Sequence, residues 1–150
     1  MSLLYNGKKQ ETKFKSEDAM KLQVKYEGKK RFKAIVRDHE FTIDLPEKKG
    51  GDNSGPTPPE VFIASLASCI GLFAIGYMNV AKLNTDGLAV EVDWSLSEDH
   101  TRVDKIDAKV IVPNAELGKR ERALHAAVEK CIIHNTLHTA PEMNIEIVNS

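Results

Sequence analysis

The chain has 150 residues, 41% hydrophobic and 29% charged, with a formal net charge of -1. That balance fits one globular domain, 1–150, with a sizeable core, and it leaves no basic stripe interleaved with aromatics for nucleic acid. Two cysteines are too few for a disulfide framework, so a reducing, cytoplasmic compartment is expected.

Met1–Lys30 holds no continuous apolar leader. The N-terminal third then reads as strands by alternation: Leu22, Val24 and Tyr26; Phe32, Ala34 and Val36; Phe41, Ile43 and Leu45. Gly28 with Lys29-Lys30-Arg31 turns the first pair and Asp38-His39 the second. The short basic patch suits a solvated turn as well as it suits a functional role. Lys49–Pro59 (KGGDNSGPTPP) is the one loop-rich stretch. It ends in a helix start, with Thr57 as N-cap and Pro58 at the first helical position.

A long apolar helix is expected from about Pro58 to Leu83, closed by Asn84–Gly87. Its stretch Val61–Ala81 carries no charge and is long enough to span a bilayer. Ser65, Ser68, Gly71, Gly76 and Asn79 dilute it, and no basic cluster flanks it, so a buried helix is expected and no membrane partner. A helix apolar all round must be wrapped on every side. One short chain has little left to do that, which makes a second subunit the expected wrapper.

Strands follow at Ala89–Leu96 and Lys105–Val112, then a second helix over about Ala115–His138 with Leu117, Leu124, Val128 and Ile132 along one side. Met143, Ile145 and Ile147 alternate in a last strand, Met143–Val148. Grouped strands, helix, strands, helix, strand make an α+β fold. No glycine-rich phosphate loop follows a strand, so no nucleotide or other cofactor is expected.

The chemistry rests on Cys69, midway along the apolar helix, and Cys131, late in the second one. Either alone is more often a small buried hydrophobe than a nucleophile. An apolar helix raises a thiol above about 8.5, so Cys69 needs a cation brought to it. Cys131 lies toward the negative end of its helix, which disfavours a thiolate. The asymmetry suits Cys69 as attacking thiol and Cys131 as resolving thiol. Ser65 and Ser68 lie inside the helix rather than on a nucleophile elbow, against a serine hydrolase. Cys131, His134 and His138 share one helix face and are chemically suited to zinc; the plainer reading sets the two histidines against the helix dipole, and no metal is expected. His39, His100 and His125 read as surface residues.

The motif GPTPPEVFIASLASCIG around Cys69 and the later VEKCIIHNTL around Cys131, in this order of elements, resemble the OsmC/Ohr family over roughly residues 20 to 148. The resemblance implies an intertwined homodimer with a long apolar central helix, and reduction of organic hydroperoxides. Cys69 would become a sulfenic acid, Cys131 would condense with it to a disulfide, and an external dithiol would reduce that disulfide. It also implies an arginine near the thiolate, for which Arg31 is the choice, ahead of its neighbour Lys30, with Arg37 the fallback. Two features depart from the peroxidase pattern. The carboxylate of the helix start, Glu60, comes after a second proline, Pro59, and an ideal helix sets it opposite Cys69, as a first-turn dipole partner. Ile132 stands where many peroxidase members carry proline. The alternative is a non-catalytic OsmC-like protein that binds a small hydrophobic or thiol ligand at the dimer interface.

Overall fold

The computed structural model describes residues 20–149 and divides into two compact units, Met1–Gly55 and Pro56–Ser150. The absence of an apolar leader concerns, over residues 1–19, a stretch outside the described residues.

In the first unit β1 (Leu22–Gly28), β2 (Arg31–Val36) and β3 (His39–Ile43) form an antiparallel sheet in the order β1-β2-β3. The alternation sets Val24 opposite Ala34, and Ala34 opposite Phe41, with Ala34 buried. The second turn falls one residue earlier than the sequence suggests, at Arg37–Asp38, because Val36 pairs directly with His39.

Beyond β3 the chain is organised by one buried carboxylate. Asp44 Oδ1 accepts the Leu45 N–H (2.8 Å), and Oδ2 accepts the N–H of Asp52 (3.0 Å) and both the N–H and hydroxyl of Ser54 (3.1 and 2.8 Å). Burial pushes this carboxyl up, but the donors from Ser54, Asp52 and Leu45 outweigh it and lower its pKa from 3.8 to about 2. Two glycines let the loop close: a Cβ on Gly51 would stand 1.9 Å from the Leu45 carbonyl oxygen, and one on Gly55 2.4 Å from that of Thr42.

In the second unit α1 (Pro58–Val80) starts where expected, with Glu60 Oε2 accepting the N–H of the N-cap Thr57 at 2.6 Å. Ile63, Leu66, Ile70, Ala74 and Met78 make a single buried stripe along it. The helix stops three residues short of Leu83. Lys82 turns left-handed (φ 55), the Leu83 N–H donates to Met78 O (2.9 Å), and the Lys82 N–H donates to Asn79 O (3.2 Å). That is a Schellman closure, which answers the last carbonyls. By length and composition α1 is apolar enough to cross a membrane, and only 28% of its most apolar window is buried within the chain.

Antiparallel β4 (Ala89–Leu96) and β5 (Val103–Ile111) follow, the second beginning and ending slightly earlier than expected. The predicted single helix 115–138 is broken. A 3-10 turn at Gly118–Arg120 leads into α2 (Glu121–Val128), and after Glu129–Lys130 a separate helix α3 runs Ile132–His138. Leu124 of α2 packs on Ala74 and Met78, while Cys131 packs on Leu66 and Ile70. The last expected strand does not form. Met143–Val148 has no regular structure, with Met143 77% and Ile147 96% exposed, and a lone strand has no ladder to hold it.

Candidate functional site

Cys69 lies on α1 beside the buried stripe, half-buried, and packs against the cluster of Leu66, Ile70 and Cys131. Cys131 is fully buried, and both sulfurs are free thiols. The helix break is what brings them together. Cys131 adopts φ -54, ψ 126 as the N-cap of α3, and its Sγ accepts the His134 N–H at 3.4 Å. It is therefore at the positive start of a helix, not at the negative end of one, which corrects the sequence reading.

The free amides of α3 go to sulfur. At Cys69 the neighbouring Cys131 thiol and the N–H groups of Ile133 and Ile132 favour the thiolate, while the His134 N–H donates to Cys131 Sγ. Burial pushes the Cys69 thiol up. The three donors outweigh burial and set it below the ordinary thiol range. Cys131 moves the other way: burial raises it first, and the adjacent Cys69, whose thiolate takes its proton in a hydrogen bond, raises it further. Two thiols in one contact thus have opposite tendencies, and Cys69 is the one that ionises first. The sequence calls for a cation at Cys69 and gives no sign of the amide donors, because the helix start at residue 132 that supplies them has no local sequence signal.

The other predicted residues fall as follows. Arg31 is on β2 of the first unit, where its guanidinium pairs with Glu27 (3.5 Å) and reaches Asp52 (4.0 Å); Lys29 also pairs with Asp52. Arg37 occupies the β2–β3 turn with φ 52, and Lys30 the preceding turn. Glu60 is committed to the cap. Ser65 and Ser68 donate their hydroxyls to the carbonyls of Phe62 and Ser65 (2.7 and 3.0 Å). Cys131, His134 and His138 do not converge on one point, and among the described residues no three His, Cys, Asp or Glu side chains do. A cavity of about 640 Å³ lies in the second unit, with Leu66, Ile70, Val110, Leu124 and Val128 in its wall; neither cysteine lines it.

The profile of the OsmC-like protein family matches residues 51–146, more than half of the chain and both cysteine motifs. The chain belongs to the OsmC-like family. No curated protein sequence matches it. Its fold is that of solved OsmC-like structures. An OsmC-like protein of Mycoplasma pneumoniae has 19% identity and a TM-score of 0.67, covering 83% of this chain and 90% of that one. A Psychrobacter arcticus protein named for osmotic stress induction and a detoxification response has 21% identity and a TM-score of 0.70, with 79% and 88% covered. A Legionella pneumophila organic hydroperoxide resistance protein, OsmC, has 17% identity and a TM-score of 0.58, with 83% and 93% covered. At such identities the likeness is one of fold.

Proposed function

We propose that this OsmC-like protein reduces organic hydroperoxides with Cys69 and Cys131. The observation that carries the reading is the contact of two free thiols with opposed acidities, the acidic one half-exposed and the other buried behind it. The Cys69 thiolate attacks the outer oxygen of ROOH, forming an S–O bond as the O–O bond breaks. Sulfur is oxidised by two electrons, and the alkoxide leaves as ROH after taking a proton. The Cys131 thiol then attacks the Cys69 sulfenic acid, forming the S–S bond and releasing water, before further oxidation of the sulfur. An external dithiol reduces the disulfide by exchange and returns both thiols.

By family resemblance Arg31 is the candidate for the positive charge that favours the thiolate; within its own unit its guanidinium pairs with Glu27 and reaches Asp52. The working unit is a cytoplasmic homodimer. The faces of α1 turned away from its buried stripe, with Leu72 70% and Val80 84% exposed, favour a second copy over solvent. Steady-state consumption of tert-butyl hydroperoxide with dithiothreitol is expected for the parent and lost in Cys69→Ser. Equal rates in both would sink the proposal.

One observation favours a binding reading: the apolar cavity that neither thiol lines. A parent without peroxidase rate, together with a Cys69→Ser variant of unchanged affinity for a small hydrophobic ligand, would select that reading.

A further inference from the structure

We infer that His134 and His138 form a two-histidine site for a divalent transition-metal ion, separate from the thiol chemistry. The two are four residues apart on α3 and so share one face. Their rings stand edge to face with centroids 4.5 Å apart, and their Nε2 atoms approach to 3.0 Å. Two imidazole nitrogens bound to one zinc ion at about 2.0–2.1 Å lie roughly 2.9 Å apart at a right angle and about 3.3 Å apart at the tetrahedral angle. The observed separation falls between those limits.

The tautomer is set from behind. His134 Nδ1 lies 3.3 Å from the Glu129 carbonyl oxygen, which can only accept. Nδ1 therefore carries the hydrogen, and Nε2 offers its lone pair toward His138. A backbone carbonyl on the far nitrogen is how metal-bound histidines are commonly oriented. Without metal, a proton on His138 Nε2 bridges the two rings; a divalent ion takes that proton's place.

The ligand set is these two nitrogens alone. Cys131 is fully buried, with its sulfur on the His134 N–H. The pair opens onto the 640 Å³ cavity, whose wall also carries Glu121, His125 and Glu129, so waters complete the coordination. Imidazole donors select Ni²⁺, Cu²⁺ and Zn²⁺ over Mg²⁺ and Ca²⁺.

Calorimetric titration of the Cys69→Ser/Cys131→Ser chain with Ni²⁺, which removes thiolate competition, is expected to give one ion per chain and no response to Mg²⁺. Loss of even an outer partner of a metal ligand costs about 10–100-fold in affinity. His134→Gln and His138→Gln should therefore each weaken binding by more than about ten-fold. Should the serine variant lose its fold, ring ¹⁵N spectra of the unaltered reduced protein with Zn²⁺ give an independent reading. The Nε2 signals of His134 and His138 should move together, while those of His39 and His100 stay. The site is overturned by no saturable Ni²⁺ binding, by unchanged affinity in either glutamine variant, or by Zn²⁺ shifts confined to other residues. Because the thiols are absent from the first experiment, its failure leaves the peroxidase reading standing.

Discussion

Replacing Cys131 by alanine and by serine separates the roles its sulfur has toward Cys69. In the parent the Cys131 thiol is one of three donors to Cys69, beside the N–H groups of Ile133 and Ile132. A hydrogen bond to a charged group contributes about 1.5–3 kcal/mol. Cys69 is only half-buried, so the lower figure applies, and losing one donor shifts the thiol–thiolate balance about ten-fold toward the thiol. The more basic thiolate is also the better nucleophile, with a Brønsted slope of about 0.4–0.5, which recovers roughly three-fold. Below the titration midpoint, alkylation of Cys69 in Cys131→Ala should therefore slow about three-fold, and the midpoint should move to higher pH. Serine retains a hydroxyl that donates to Cys69, and it is a better N-cap than cysteine for the His134 N–H. Cys131→Ser should then follow the parent profile. The assay is iodoacetamide labelling of Cys69 across pH in the absence of peroxide, read by peptide mass, with melting curves to confirm that both variants are folded. A Cys131→Ala midpoint equal to or below the parent's would refute the donor argument, as would identical displacements in the alanine and serine variants.

Asp44, whose folded carboxyl titrates near 2 rather than 3.8, stabilises its loop fully above the ordinary carboxylate range and loses that contribution as pH falls from 3.8 toward 2. Protection of the Asp52 and Ser54 amides against hydrogen exchange, taken relative to the intrinsic rate at each pH, should fall over that window, whereas in Asp44→Asn it should be low already at neutral pH and change little with acid. Gly55→Ala forces a methyl within 2.4 Å of the Thr42 carbonyl oxygen, and its melting temperature should fall measurably below that of an alanine placed at the open site Gly76 after allowance for helix propensity. Leu66→Ala, at the buried centre of the cysteine cluster, should cost about 2–5 kcal/mol in urea unfolding; a loss below 1 kcal/mol would mean the cluster does not hold α1.

Much of the fold is legible in the residues because local rules and burial agree there. The alternating triplets of β1 and β2, the Thr57-Pro58 start of α1 and the whole of β4 are found where the pattern puts them, whereas β3 runs His39–Ile43 and stops short of the expected Leu45, where the chain turns into the Asp44 cage. The break before Cys131 is not legible. Leu124, Val128 and Ile132 keep helical spacing across it, no glycine or proline interrupts the run, and cysteine is not among the usual N-caps. The sulfur's place in the core with Leu66 and Ile70 is a tertiary matter that no window of sequence contains. The same break sets α3 amides beside Cys69, a source of thiolate stabilisation that the linear sequence does not contain. Met143–Val148 shows the converse: its alternation is suited to a strand, but alternation records a preference for a sheet face and cannot provide the neighbouring edge. Asp44 has no motif at all, since its partners at 45, 52 and 54 become a cage only once Gly51 and Gly55 let the loop turn back.

The most direct trial of the thiol chemistry is a single turnover. One equivalent of organic hydroperoxide is added to the fully reduced parent, the reaction is quenched with a thiol blocker, and intact and peptide masses are recorded. The expected product is a chain lighter by two hydrogens with Cys69 and Cys131 joined, reversed by a dithiol. Two blocked, unoxidised thiols, or a Cys69 carried to sulfinic acid while Cys131 stays free, would contradict it.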